Sequence, residues 1–330
     1  MKVVAISNVM SQAIFCAATL LFLRSPEQLF LVPLLQVAGE TVTVIYLLFR
    51  INRSFGRVRL AFDKSAWTAI LKESLPMGLS ITLSLVMLNF DIILLGFLKP
   101  ASEVGQYSAA YKVIGLFSSL VLLYNRNLLP AISRCRGNPK ELQSISMGTQ
   151  KYALLLTIPL AAGGTLLSRP LIQLLFGDQF IGGAAALGIL IWIIPASSSR
   201  ALYRSALMSH GYQNENMWIS MVAVVVNVIL NVTLIPFFSY VGSAAASLAS
   251  ELVLLFLLYR CVKQKIALLP LVHHIWKPAI AGVIMSIFVA WSDSFGLFAR
   301  IVGGFVIYAL VGLALKAFNL REISKTIGVS

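Results

Sequence analysis

The chain has 330 residues, of which 58% are hydrophobic and only 12% charged, against about 25% charged in a soluble domain. With a mean hydropathy of +0.87, this excludes a soluble globular protein. The formal charge of +14 is carried between apolar blocks without interleaved aromatics, which excludes nucleic acid as a partner and points to membrane lipids. Cys16, Cys135 and Cys261 have neither CxxC nor Cys/His spacing, so no disulfide framework or metal site is expected.

A helix needs roughly 20 apolar residues to cross the hydrocarbon core. Ten such blocks follow one another, at about 3–23, 29–49, 75–98, 105–131, 152–168, 181–208, 217–238, 239–259, 275–292 and 297–315. They lack the ten-residue alternation of barrel strands, so the fold class is all-α, a polytopic transmembrane bundle of about ten helices. The first block follows Lys2 but has no small-x-small cleavage site, and Phe15 before Cys16 spoils a lipoprotein-type site, so it reads as a retained helix.

The loops set the orientation. Lys2, the stretch from Arg50 to Lys72, the stretch from Arg134 to Lys151, the stretch from Arg260 to Lys277 and the tail bearing Lys316, Arg321 and Lys325 put 18 basic residues on one side. Arg24, Lys99, Arg169 and Arg300 put 4 on the other. The positive-inside rule then makes both termini cytoplasmic. Between the second and third spans, Trp67, Ile70 and Leu71 share one face and predict a basic amphipathic linker helix over 51–73 on the cytoplasmic surface. Ala38-Gly39-Glu40 and Ala249-Ser250-Glu251 sit at corresponding points of the second and eighth spans, a hint of parallel repeats.

Charges at membrane depth are expensive and mark cavities or partners. Lys112 and Arg126 lie 14 residues apart, close to four turns, and Arg200 and Arg204 are one turn apart. These four could line a cationic cavity for a diphosphate, or the arginines could snorkel to head groups. Asp91 reads as a proton or cation site, or as a structural partner of Lys112. Glu40 and Glu251 read as protonated packing contacts, or as coupling sites. Asn227 and Asn231 read as interhelical hydrogen bonds or sugar contacts. Pro76, Pro130, Pro159, Pro195 and Pro236 predict kinks, and His273-His274 reads as an interfacial pair. GxGxxG, GKS/T and HExxH motifs are absent, so neither an enzyme nor a cofactor is expected.

Several stretches, in order, carry a family resemblance: Glu73-Ser74-Leu75-Pro76; Asn89-Phe90-Asp91-Ile92; Glu103-Val104-Gly105-Gln106-Tyr107 through Lys112; Leu129-Pro130; Leu175-Phe176-Gly177; Asn227 through Asn231 to Pro236; and Gly242 through Ser250-Glu251. In these the chain resembles the Wzx-type polysaccharide-precursor flippases of the MATE-like superfamily. The resemblance implies two six-helix lobes around a cavity, alternating access, and polyprenyl-diphosphate-linked oligosaccharide substrates for O-antigen, capsule or exopolysaccharide. It also implies a bacterial cytoplasmic membrane, and a substrate-binding role for Lys112, Arg126, Arg200 and Arg204. Residues 1–50 then correspond to the last two helices of the first lobe, 74–263 to the six-helix second lobe, and 264–330 to two extra helices and a tail. The first four helices of the family pattern are not represented, which suggests a partner: another copy, or polysaccharide-assembly enzymes. A cation-coupled small-molecule exporter and a non-transporting fragment or scaffold are the alternatives.

Overall fold

The computed structural model describes residues 2–25, 28, 30–56, 63–125, 128–135, 138–266, 275–292, 294–315 and 317. Among these, all regular structure is helical, as backbone groups in lipid demand. The chain divides into two compact units, Met1–Ile70 and Leu71–Ser330.

In the first unit α1 (Lys2–Phe22) and α2 (Leu31–Phe55) form an antiparallel hairpin. A Cβ on Gly39 would lie 3.1 Å from the Ser11 carbonyl, so a glycine lets the helices approach. Ser11 Oγ donates to Glu40 Oε1 at 3.1 Å, and Thr43 Oγ1 to the Ser7 carbonyl at 3.3 Å. Beyond this contact the helices expose apolar side chains such as Leu34, Ile45 and Phe49.

α3 runs unbroken from Lys64 to Leu98. Trp67, Ile70 and Leu71 are exposed on the same helix as the third apolar span, so this part of the expected linker continues into the span. The linker residues 57–62 lie outside the described residues.

The second unit continues with α4 (Ala101–Asn125), α5 (Leu128–Arg134), α6 (Pro139–Leu166) and α7 (Ser168–Phe176). A 3-10 turn (Asp178–Phe180), α8 (Gly183–Leu190), α9 (Ile193–Ser209), α10 (Gln213–Lys265), α11 (Trp276–Trp291) and α12 (Leu297–Ala314) complete it. α6 starts where Asn138 Oδ1 accepts from the Glu141 amide, with Pro139 in the first turn, the chemistry of a helix N-terminus. α7 turns 77° away from it and stops at Gly177, whose φ of +86° suits a residue without Cβ.

α10 is two helices joined across Ser239, where φ is 51° and ψ −136°. Pro236 lacks the amide that would continue the ladder. Lys99 Nζ donates to the Pro236 carbonyl at 3.2 Å, and the Ser239 hydroxyl donates to Glu103. These contacts hold a backbone conformation that is uncommon for a residue other than glycine. Gln106 stitches α4 to the segment ahead of α8: its Oε1 accepts from the Gly183 amide at 2.8 Å and its Nε2 donates to the Gln179 carbonyl at 2.7 Å. A Cβ on Gly183 would stand 2.5 Å from the Gln106 carbonyl, which makes glycine a packing requirement there.

Among the described residues each of the ten expected spans falls on helix, with breaks at 191–192 and at Ser239. Among the described residues four helices are long and apolar enough to cross a membrane, and the bent α6–α7 pair makes a fifth. Apolar side chains such as Phe97, Trp291 and Phe298 are more than four-fifths exposed. In water such surfaces would aggregate; in a multi-pass membrane protein they meet lipid.

Candidate functional site

The second unit buries two polar clusters in an otherwise apolar interior. The first surrounds Asp91 of α3, which is 2% exposed. Its Oδ2 accepts from Tyr107 OH of α4 at 2.9 Å and from the Ser247 hydroxyl, and its Oδ1 accepts from Asn231 Nδ2 at 2.8 Å. Ser243 Oγ, at 2.9 Å, donates to Asn231 Oδ1 and fixes which way that amide faces. Asn227, 1% exposed, lies beside Asp91, and neither of its amide atoms has a hydrogen-bond partner of normal geometry. A buried carboxyl group among neutral hydroxyl and amide groups has only their hydrogen bonds to offset the desolvation of its charged form. Its oxygen-rich surroundings are the kind that take a proton or a hard cation. Among the described residues no group of three or more His, Cys, Asp and Glu is placed to hold a metal ion.

The expected Asp91–Lys112 pair does not form. Lys112 is exposed, and its amine makes no hydrogen bond or ion pair among the described residues. The reason is helical phase: Tyr107 and Lys112 are five residues apart, about 140° around α4. Tyr107 points into the core, so Lys112 points away from it. Arg126, the second expected cation of this segment, lies outside the described residues, as do His273 and His274.

The second cluster is ionic. Arg200 Nε of α9 meets Glu251 Oε1 of α10 at 2.5 Å, with side-chain exposures of 22% and 8%. Glu251 is therefore half of an ion pair, which neither of its two readings, packing contact or coupling site, included, and Arg200 turns toward α10. Arg204, one turn further along α9, is half-buried and within electrostatic range of both. On α6, Gln150 Nε2 donates to Ser199 Oγ at 2.7 Å. The clusters share a helix face, since Ser243, Ser247 and Glu251 recur every four residues and rotate only about 40° per step. In the first unit, Glu40 is exposed and bonded to Ser11.

A third feature is apolar. Side chains of α6, α11 and α12 enclose a cavity of about 650 Å³ walled by Leu155, Pro159, Gly163, Met285, Gly304 and Phe305 among others. Its polar margins are engaged: Tyr308 OH donates to the Leu155 carbonyl at 2.8 Å, and Arg300 Nη2 to the Val289 carbonyl at 2.9 Å.

Comparison with known proteins places this architecture. The profile of the family described as "Polysaccharide biosynthesis protein" matches residues 1–136, and that of MatE matches residues 76–233. The structure superposes on the lipid II flippase MurJ in an inward closed conformation with a TM-score of 0.76. That superposition covers 97% of this chain and 68% of MurJ at 18% identity. The chain is thus similar to two family profiles over overlapping stretches, and it shares the fold of MurJ. It is 26% identical over 239 residues to the probable flippase AglR of Haloferax volcanii, covering 71% of this chain and 50% of AglR. It is 25% identical over 170 residues to the probable low-salt glycan biosynthesis flippase Agl15 of the same organism, covering 48% of this chain and 34% of Agl15. The chain thus spans half or less of the length of these curated relatives. Asp91 and Lys112 fall in both matched segments, Arg200 and Arg204 in the second, and Glu251 beyond both.

Proposed function

We propose that this chain takes part in moving polyprenyl-diphosphate-linked oligosaccharides across a bacterial cytoplasmic membrane for surface-glycan assembly. It moves its substrate without transforming it. The observation that carries the reading is Lys112: a cation midway along α4, exposed and without a protein partner among the described residues. An unpaired ammonium at that depth is too costly against hydrocarbon; it belongs on a water-filled path that an anion travels. The match to the polysaccharide biosynthesis profile and the similarity to two flippases support the same substrate class.

In this account Lys112, Arg126, Arg200 and Arg204 attract the diphosphate, and the apolar cavity beside α12 accommodates part of the prenyl chain. Asp91 takes up the coupling proton or cation. The basic loops and both termini face the cytoplasm. The test is reconstitution of the purified chain in vesicles containing a fluorescent polyprenyl-diphosphate sugar. Transbilayer movement well above that of protein-free vesicles is expected; movement at the protein-free rate refutes the proposal.

A further inference from the structure

The Arg200–Glu251 cluster has an unbalanced charge: two guanidinium groups face one carboxylate. Arg204 makes no hydrogen bond or ion pair among the described residues, although it is half-buried beside both. On the neighbouring helix α6, Gln150 Oε1 and Ser146 Oγ are buried without partners, in residues only 2% and 1% exposed. Gln150 is bonded to Ser199, the residue before Arg200. A set of buried polar groups with surplus positive charge and unmet hydrogen-bonding capacity is an incomplete site. What completes it electrostatically is an anion.

Resting on the function proposed above, we propose that Glu251 is a built-in competitor for the anion site of Arg200 and Arg204, displaced when a diphosphate binds and returning to expel it. The geometry suits such an exchange. Glu251 engages Arg200 through Nε, whereas a diphosphate can span both guanidinium groups, and Arg–phosphate pairing is often bidentate. The ligand therefore gains Arg204, which Glu251 leaves without a partner. The carboxylate weakens binding, and by the same measure it speeds release. A translocation cycle that must let go of its cargo needs that property, because an anion left on two half-buried arginines would leave slowly.

The test is titration of the purified full chain with inorganic pyrophosphate by calorimetry, in wild type and in Glu251→Gln. The amide keeps the shape and removes the charge. The proposal expects pyrophosphate to bind Glu251→Gln about tenfold or more tightly than wild type, with slower glycolipid movement in vesicles. Unchanged or weaker affinity in a variant that folds overturns it and makes the pair a purely structural one. If Glu251→Gln does not accumulate, Glu251→Asp takes its place, with a severalfold gain expected and no gain overturning the proposal. Repeating the titration in nanodiscs of phosphatidylcholine and of phosphatidylglycerol separates the sources of the anion. Binding in both supports a substrate diphosphate; loss in phosphatidylglycerol alone assigns the site to bulk lipid head groups and overturns the proposal. Wild-type glycolipid movement that persists in Glu251→Gln with no affinity gain defeats this inference while leaving the flippase function standing.

Discussion

Asp91 and Glu251 are both carboxylates buried in the second unit, and they are stabilised in opposite ways. Asp91 is held by neutral donors, Tyr107, Asn231 and Ser247. Glu251, one turn beyond Ser247 on α10, is held by the guanidinium of Arg200. The first cluster therefore surrounds its carboxyl group with neutral groups alone, while the second sets two guanidinium groups against one carboxylate, about 6 Å away along the helix. A carboxylate among neutral donors can gain a proton or a cation without stranding another charge. A carboxylate paired to arginine cannot leave without uncovering a cation, and that exposed cation is what an anionic substrate would bind. In the proposed function, that difference would divide coupling and cargo between two neighbouring clusters.

That comparison can be broken in graded steps. Arg200→Ala leaves Glu251 buried without its partner and is expected to cost about 3–5 kcal/mol, seen as a large fall in the thermal unfolding midpoint in detergent; a stable Arg200→Ala protein would mean that Glu251 finds another partner. Tyr107→Phe removes one donor from Asp91 while Asn231 and Ser247 remain. Its expected cost is about 1.5–3 kcal/mol, that of a hydrogen bond to a charged group, measured in the same melt; no change would show that Asp91 is not held as a carboxylate. Lys112→Ala touches neither cluster and should alter stability by no more than about 0.5 kcal/mol, so its whole effect should appear in transport. A melt lowered as far as that of Arg200→Ala would place Lys112 in the packing of the unit instead.

The helices were legible because lipid imposes a length and a composition on every span, and each apolar block fell on helix. Asp91 and Asn231 stood out as polar groups at depth. Their partners did not, because Tyr107, Ser243 and Ser247 are unremarkable in an apolar helix until the fold brings α10 back to Asp91 across 140 residues or more of chain. The four-residue recurrence of Ser243, Ser247 and Glu251 was the available signal. Arg200 and Glu251 were each visible, but their pairing across 51 residues is a tertiary fact. The expected Asp91–Lys112 pair ignored helical phase, which already put Lys112 and Tyr107 on different faces of α4. The stretch from Glu103 to Lys112, which carried much of the family resemblance, holds three of the fold's stitches: Glu103 to Ser239, Gln106 to Gly183, and Tyr107 to Asp91.

The most direct test of the central claim is surface glycan in a strain whose own precursor flippase is deleted, complemented with this chain or with Lys112→Ala at matched membrane levels. The account predicts glycan at the surface with the wild-type chain and its loss with Lys112→Ala. Equal surface glycan from the two would contradict it, because the cation that carries the functional reading would then have no part in moving the substrate.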